Sequence, residues 1–180
     1  MTLTVPGITH EEFERLCEQY EDCRIEYTAE GELIVKPPTD PPTGFRNAAI
    51  TGQLYVWLLS HKRGFVTDSS TAFALPSGAR KSPDAAWISK SRYHAKPTCP
   101  EFVVELISPS DSPRKTHLKM LEWIDNGAEL GWMINPRNRT VSIYRKGSAD
   151  VDVGTGPTEL AGEGPVEGFV LDLSLVWNPE

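Results

Sequence analysis

No stretch of this 180-residue chain approaches the ~20 consecutive apolar residues that a membrane-crossing helix needs. The amino terminus, MTLTVPGITHEEF, has no basic segment leading into an apolar core, so no export signal is visible. Cysteine is scarce. Cys17, Cys23 and Cys99 are odd in number and none has Cys-x-x-Cys spacing, which argues against a disulfide framework and points to reduced thiols in the cytoplasm. The four histidines are scattered, and no grouping supplies the ligands of a zinc site. Positive charge is in deficit, with 18 Lys and Arg against 25 Asp and Glu, a net charge of −7. General adhesion to nucleic acid rests on many Lys/Arg–phosphate contacts, so it does not follow from this balance, although a local basic groove is compatible with it. Internal repeats and low-complexity tracts are also absent.

What is present reads as one domain over residues 1–180, long enough to bury roughly 70% of its unfolded surface without a staple. The most informative stretch is EFVVELISPSDSPRKTHLKMLEWIDN, residues 101–126. Its apolar run FVVELI is a strand covered on both faces, yet Glu105 sits within it, on the same face as Val103 and Ile107. A buried carboxylate costs several kcal/mol unless a cation, metal or proton offsets it. Ser110-Asp111-Ser112-Pro113 opens a helix, with Ser112 as N-cap and Pro113 at the first position. Leu118, Leu121 and Ile124 are the expected buried stripe, Lys115, Lys119 and Glu122 form another face, and Gly127 closes the helix. A strand over 130–134 follows, so the unit predicts a parallel pair with a helical crossover.

On the amino-terminal side, Thr9 caps a helix bearing Phe13, Leu16, Cys17 and Tyr20, and two strands, 24–27 and 32–35, flank a turn at Gly31. Glu26 lies in the first of these strands, as an exposed position unless a site claims it. Residues 36–44, rich in proline, read as an ordered or semi-mobile lid that is neither helix nor central strand. A long helix is expected over 46–62, with Ile50, Leu54, Trp57 and Leu58 on its apolar face, Asn47 and Gln53 on other sides, and Gly64 ending it. Strands follow over 65–68 and 72–75. Asp84, directly after Pro83, either opens another apolar strand or terminates a turn. A strand over 141–144 precedes a tail rich in Gly, Pro and acids.

Simple lengths bring three of these residues together. Glu105 is two residues before its strand ends, about 7 Å below the edge. Lys119 is six residues past Pro113, about 9 Å back along the returning helix. The two stand at similar height, and Asp84 needs only to open a neighbouring strand. Two carboxylates and a backbone carbonyl suit a hard cation such as Mg²⁺ or Mn²⁺. A lysine beside them can orient or deprotonate water and stabilise developing charge. The bland alternative makes Lys119 a surface residue paired with Glu122.

The stretches LIVKPPTDPPTGFRN, SPDAAWIS, FVVELISPSD, HLKMLEWIDNGAELGWMINPRNRTVSIYR and GFVLDL resemble the Uma-two family, restriction-endonuclease-like proteins of the PD-(D/E)XK nuclease superfamily. The resemblance runs from about Glu26 onward. It implies an α/β fold: a restriction-endonuclease-like core, a central mixed β-sheet of four to five strands flanked by helices, with extra N- and C-terminal strands. It implies catalytic roles for Asp84, Glu105 and Lys119, with Ile107 standing where the superfamily usually has its lysine. Glu26 matches a frequent family acid that can line the site, Asn47 matches a polar position, and Trp123 stands where Tyr is common, a change expected to be without consequence. The implied activity is a metal-dependent phosphodiesterase acting on DNA. Asp84, Glu105 and the Leu106 carbonyl would hold Mg²⁺ or Mn²⁺, and Arg46, Lys62, Arg63 and Lys115 would contact phosphates below the lid. The other reading is a non-catalytic nucleic-acid-binding or regulatory module that retains the fold. Trp132, Trp177 and the Gly-rich tail suggest a homodimer.

Overall fold

The computed structural model describes residues 3–20, 23–109 and 111–178. Ser110, expected to help open a helix, lies outside them. In chain order the elements are β1 (Leu3–Val5), α1 (His10–Gln19), β2 (Arg24–Tyr27), β3 (Leu33–Lys36), α2 (Pro41–His61), β4 (Gly64–Asp68), β5 (Phe73–Ala74), β6 (Arg80–Lys81) and β7 (Ala85–Ser89). They continue with α3 (Lys90–Tyr93), β8 (Phe102–Leu106), α4 (Pro113–Asp125), β9 (Leu130–Asn135), β10 (Thr140–Arg145), β11 (Asp152–Thr155), β12 (Glu159–Ala161), β13 (Val170–Asp172) and α5 (Ser174–Trp177).

The central sheet has six strands in the order β11-β10-β9-β8-β7-β4, where a core of four to five strands with extra terminal strands was expected. Among the described residues only β8 and β9 run parallel, and α4 is the crossover between them, as the strand–helix–strand pattern predicts. Every residue of β8 is buried because a helix covers each face. Ile50 and Leu54 of α2 pack on Ala85, Val104 and Leu106 on one side. Met120 and Trp123 of α4 pack on Ala86 and Val103 on the other. A Cβ at Gly131 would collide with the Met120 side chain, so glycine there lets α4 lie close on the sheet. A second sheet, β1-β3-β2-β6-β5, lies ahead of this core. Phe13 of α1 packs on its Tyr27 and Leu33, which turns Glu26, between Ile25 and Tyr27, to the opposite face.

Several expectations change. The proline-rich segment is not a lid: Asp40 caps α2 by accepting the Thr43 N–H, and Pro41 and Pro42 form the first turn. Proline suits that turn because those N–H groups have no helical partner anyway. Gly64 does not end α2. Lys62 does, with φ of 45°, and Gly64 begins β4, where a Cβ would strike the Ile88 carbonyl. On α4 the buried positions are Thr116, Met120 and Trp123, whereas Leu118 is 56% exposed and Leu121 38%. Trp132 is fully buried and offers no contact surface, whereas Trp177 is half-buried and donates to the Pro157 carbonyl at 2.7 Å. No helix among the described residues is long and apolar enough to cross a membrane.

Candidate active site

The site forms where the carboxyl end of β8 meets the start of β7, with α4 on one side and the β2–β3 hairpin facing it. Glu105, 4% exposed, points to the α4 side. Its Oε1 accepts the Trp123 indole N–H at 2.8 Å, and the Lys119 ammonium lies 2.7 Å from Oε1 and 2.9 Å from Oε2. Lys119 and Trp123 are one helical turn apart, so a single face of α4 supplies both partners. The phase of α4 follows from this: with Lys119 turned inward to Glu105, Leu118 and Leu121 are carried outward. The bland pairing of Lys119 with Glu122 is not formed, because Glu122 pairs with Lys81.

Lys119 also donates to the Ser82 carbonyl at 2.8 Å and stands 3.7 Å from Glu26 Oε1. Glu26 is only 4% exposed, which overturns its reading as an open strand position. It accepts from Lys36 Nζ at 2.7 Å and from the Ser82 N–H at 3.1 Å. Ser82 therefore ties β2 to α4 through its two backbone groups. Asp84 lies just before β7, whose Ala85 pairs with Val104, so it stands beside Glu105. Its Oδ2 accepts the Leu106 N–H at 2.8 Å, and its Oδ1 is 3.5 Å from Asn47 Nδ2. The N–H and C=O of one strand residue leave by the same edge, so the Leu106 carbonyl is turned toward the Asp84 side. Asn47 Oδ1 is buried without a hydrogen-bond partner among the described residues.

Three carboxylates thus share two ammonium groups. Burial raises the Glu105 carboxyl above its ordinary range; Lys119 opposes this and Asp84 adds to it. Burial also acts to raise Glu26, but the Lys119 and Lys36 charges, the Lys36 hydrogen bond and the Ser82 N–H outweigh it and hold Glu26 down to about 2. Burial acts to lower Lys119, but Glu105, Glu26 and Asp84 together raise it well above an ordinary lysine, so it stays protonated. Lys36 is lowered by burial and by repulsion from Lys119, against the pull of Glu26 and Glu105.

The other residues singled out from the sequence are dispersed. Arg46 donates from Nε to the Val176 carbonyl at 2.8 Å, tying α2 to the C-terminal segment. Lys62 is roughly 22 Å along α2 from Asn47, and the Gly64–Ser89 pairing puts Lys62 and Arg63 at the opposite end of β7 from Asp84. Lys115 is exposed one turn ahead of Lys119, near the site. Sequence reasoning missed Lys36 and Trp123. Lys36 was signalled by the hairpin register: Glu26 pairs with Ile34, so Lys36 is its diagonal neighbour on one face. Trp123, which stands where Tyr is common, donates its indole N–H to Glu105. Among the described residues no three His, Cys, Asp or Glu side chains converge as a metal cage. The oxygen donors at hand are Asp84, Glu105, the Leu106 carbonyl and the orphaned Asn47 Oδ1.

A central mixed sheet flanked by helices, with the buried Glu105 on β8, the half-buried Asp84 just ahead of β7 and a lysine behind them, is the restriction-endonuclease-like fold. A solved structure described as a putative nuclease belonging to DUF820, from Anabaena variabilis ATCC 29413, superposes on 95% of this chain and 97% of its own, with a TM-score of 0.78 at 22% identity. The profile of the Uma2 family, described as "Putative restriction endonuclease", matches residues 10–174, and the chain belongs to that family. No curated protein matches it.

Proposed function

We propose that this protein is a divalent-cation-dependent phosphodiesterase acting on DNA. The observation that carries the reading is Lys119, largely enclosed on α4 against Glu105 and Glu26 beside Asp84. Packing alone gives no reason for so much charge in one place, because apolar replacements of buried ion pairs are often neutral or stabilising. The donor set fits a hard cation: Asp84, Glu105 and the Leu106 carbonyl would hold it, with Asn47 Oδ1 adjacent. Bound Mg²⁺ or Mn²⁺ would supply Lewis acidity toward a phosphodiester oxygen and make water more acidic.

The chain's own groups have separate tasks. Lys119 is a permanent cation, so it serves as a fixed positive charge for the attacked phosphate rather than as a base. Trp123 fixes the rotamer of Glu105. Glu26 and the Ser82 carbonyl aim the Lys119 ammonium. Lys36, whose side chain is 30% exposed, is the outer cation and the better placed of the two lysines to meet a phosphate. Lys115 extends that positive edge.

One observation favours the second reading, a non-catalytic module: Lys119 already neutralises Glu105 without any added cation. Calorimetric titration with Mn²⁺ separates the two. The catalytic reading expects saturable binding that Asp84→Asn removes, together with Mn²⁺-dependent cleavage of plasmid or single-stranded DNA. Absence of both in the parent protein leaves the binding module.

A further inference from the structure

Helix α2 is apolar on two sides. Ile50 and Leu54 face the protein's own core. The other side carries Phe45, Ala49, Gly52, Val56 and Leu59, at the alternating spacing of four and three residues that marks a coiled-coil seam. These are not marginal exposures: Phe45 is 59% exposed, Tyr55 53%, Val56 64% and Leu59 55%. A helix apolar all round is ordinarily a buried one. Arg46 is the only Asp, Glu, Lys or Arg in the 21 residues of α2, and it is turned to Val176. A shallow groove lined by Ala48, Ala49, Gly52 and Val170 runs beside the seam.

We infer that this face joins two copies of the chain, packed antiparallel about a two-fold axis beside Gly52. The seam is self-complementary about that point. Phe45 of one copy meets Leu59 of the other, Ala48 meets Val56, and Ala49 meets Tyr55. Between Phe45 and the axis the amino-terminal half is small, and the carboxyl-terminal half is bulky, so antiparallel packing sets Tyr55 and Val56 of each copy in the groove over Ala48 and Ala49 of its mate, with a Phe45–Leu59 contact closing each end. A parallel pair would set alanine on alanine and leave a void, which close-packed interfaces do not tolerate. Gly52 supports the axis independently. A Cβ there would meet nothing within 4 Å in its own chain, so the fold itself has no use for the glycine. A mid-helix glycine costs about 1 kcal/mol relative to alanine, and close backbone approach at the axis offsets it. Charge agrees as well. Asp40 stands at one end of α2 and Lys62 with Arg63 at the other, so the antiparallel arrangement brings opposite charges and opposed helix dipoles together. Such an isologous contact is the commonest way for a soluble chain to pair.

Light scattering at tens of micromolar tests the pairing. The parent is expected at twice the 20.0 kDa chain mass, and Val56→Glu at the single-chain mass with an unchanged far-ultraviolet circular dichroism spectrum. A single-chain mass for the parent, which would leave the face to some other occupant, overturns the inference, as does a Val56→Glu protein that still pairs. Gly52→Cys, made with Cys17→Ser and Cys23→Ser, tests the axis without adding charge. Oxidation is expected to link two copies through this position and not through Ser60→Cys made in the same background. Equal linkage at both positions overturns the register.

Discussion

Glu101 and Glu105 flank the two ends of β8 on the same face, and both are buried, at 7% and 4% exposure. Glu101 accepts the Ser89 N–H at 3.0 Å and the Ser89 hydroxyl at 2.5 Å, and its Oε1 lies 3.3 Å from Arg92 Nε. Its partners come from the adjoining strand end and short helix: two hydrogen bonds from Ser89 and the Arg92 cation, which also holds the exposed Glu129 at 2.6 Å, so a single buried acid meets a single cation. That cluster pins α3 to the sheet. At the other end, Glu105 draws its partners from α4 and shares Lys119 with Glu26 while Asp84 stands alongside. Here the buried Glu26 and Glu105 and the half-buried Asp84 share Lys36 and Lys119. Burial of a carboxylate is therefore not itself the mark of a site. A surplus of enclosed acid over enclosed base is the better mark, because it would leave a place for an added cation.

The sharpest break between the two ends is expected from their cations. Lys119→Met should lower DNA cleavage by about 10²–10³-fold, the usual loss on removing one preorganised electrostatic group. It should also cost about 3–5 kcal/mol of stability in urea unfolding, because Glu105 and Glu26 lose a buried partner. Adding Glu105→Gln to Lys119→Met should return much of that stability and none of the activity. Arg92→Met should leave cleavage at the parent rate. A Lys119→Met protein that cleaves at the parent rate would remove the distinction between the two ends.

Acid should unravel the Glu105 end in a defined window. Glu26 is depressed to about 2 from an ordinary 4.5. A depressed carboxyl contributes stability that is complete above its unfolded value and lost as pH falls through the folded one. Its contribution, at most about 3 kcal/mol, should therefore be present above pH ~4.5 and vanish toward pH ~2. Glu105 is raised, so its term has the opposite sign and is relieved as pH falls. Lys36, Lys119 and the Ser82 N–H are the groups that face Glu26. Urea midpoints between pH 6 and 3 should fall less steeply in Glu26→Gln than in the parent; equal slopes would mean that Glu26 is not held low.

The Glu101 end should respond in stability alone. Glu101→Gln keeps the shape and weakens charge-assisted hydrogen bonds, at a cost of about 1.5–3 kcal/mol. Cleavage and Mn²⁺ binding should be unchanged, and a loss of either would mean that the two ends are coupled.

The two ends were not equally legible from sequence. The β8–α4–β9 unit could be read because an apolar run, a Ser-Pro cap and a closing glycine all agree. The heights of Glu105 and Lys119 could be read because rise per residue is fixed. The face of α4 could not be read from hydrophobicity, which turns Leu118 and Leu121 inward and Lys119 outward. The structure does the reverse, because Glu105 needs its cation more than the core needs two more leucines. Local rules fail at sites in this way. Glu26 was hidden for a related reason: its burial depends on a second sheet whose docking no strand pattern encodes. The start of α2 was concealed by prolines that look like breakers but occupy the one turn where they fit.

The smallest effect concerns surface charge, and it asks which end of the sheet meets DNA. Lys115 is exposed beside the Glu105 end, one turn from Lys119, whereas Arg63 lies at the Glu101 end, its carbonyl accepting the Lys90 N–H. Each lysine or arginine that neutralises one phosphate releases about one counterion, so its loss lowers the salt dependence of binding by about one unit in log–log slope. Lys115→Met should show that change in a fluorescence-anisotropy titration with DNA across salt concentrations, and should weaken binding without regard to sequence. Arg63→Met should leave the slope alone, because a phosphate bound beside Asp84 is a full strand length from it. The chain's net charge of −7 makes the comparison more telling. With repulsion from most of the surface, affinity must come from a few local cations, and the variant that changes the slope marks where they are. If Arg63→Met lowers it and Lys115→Met does not, DNA lies along the Glu101 end, and the surplus of acid around Glu105 needs another explanation.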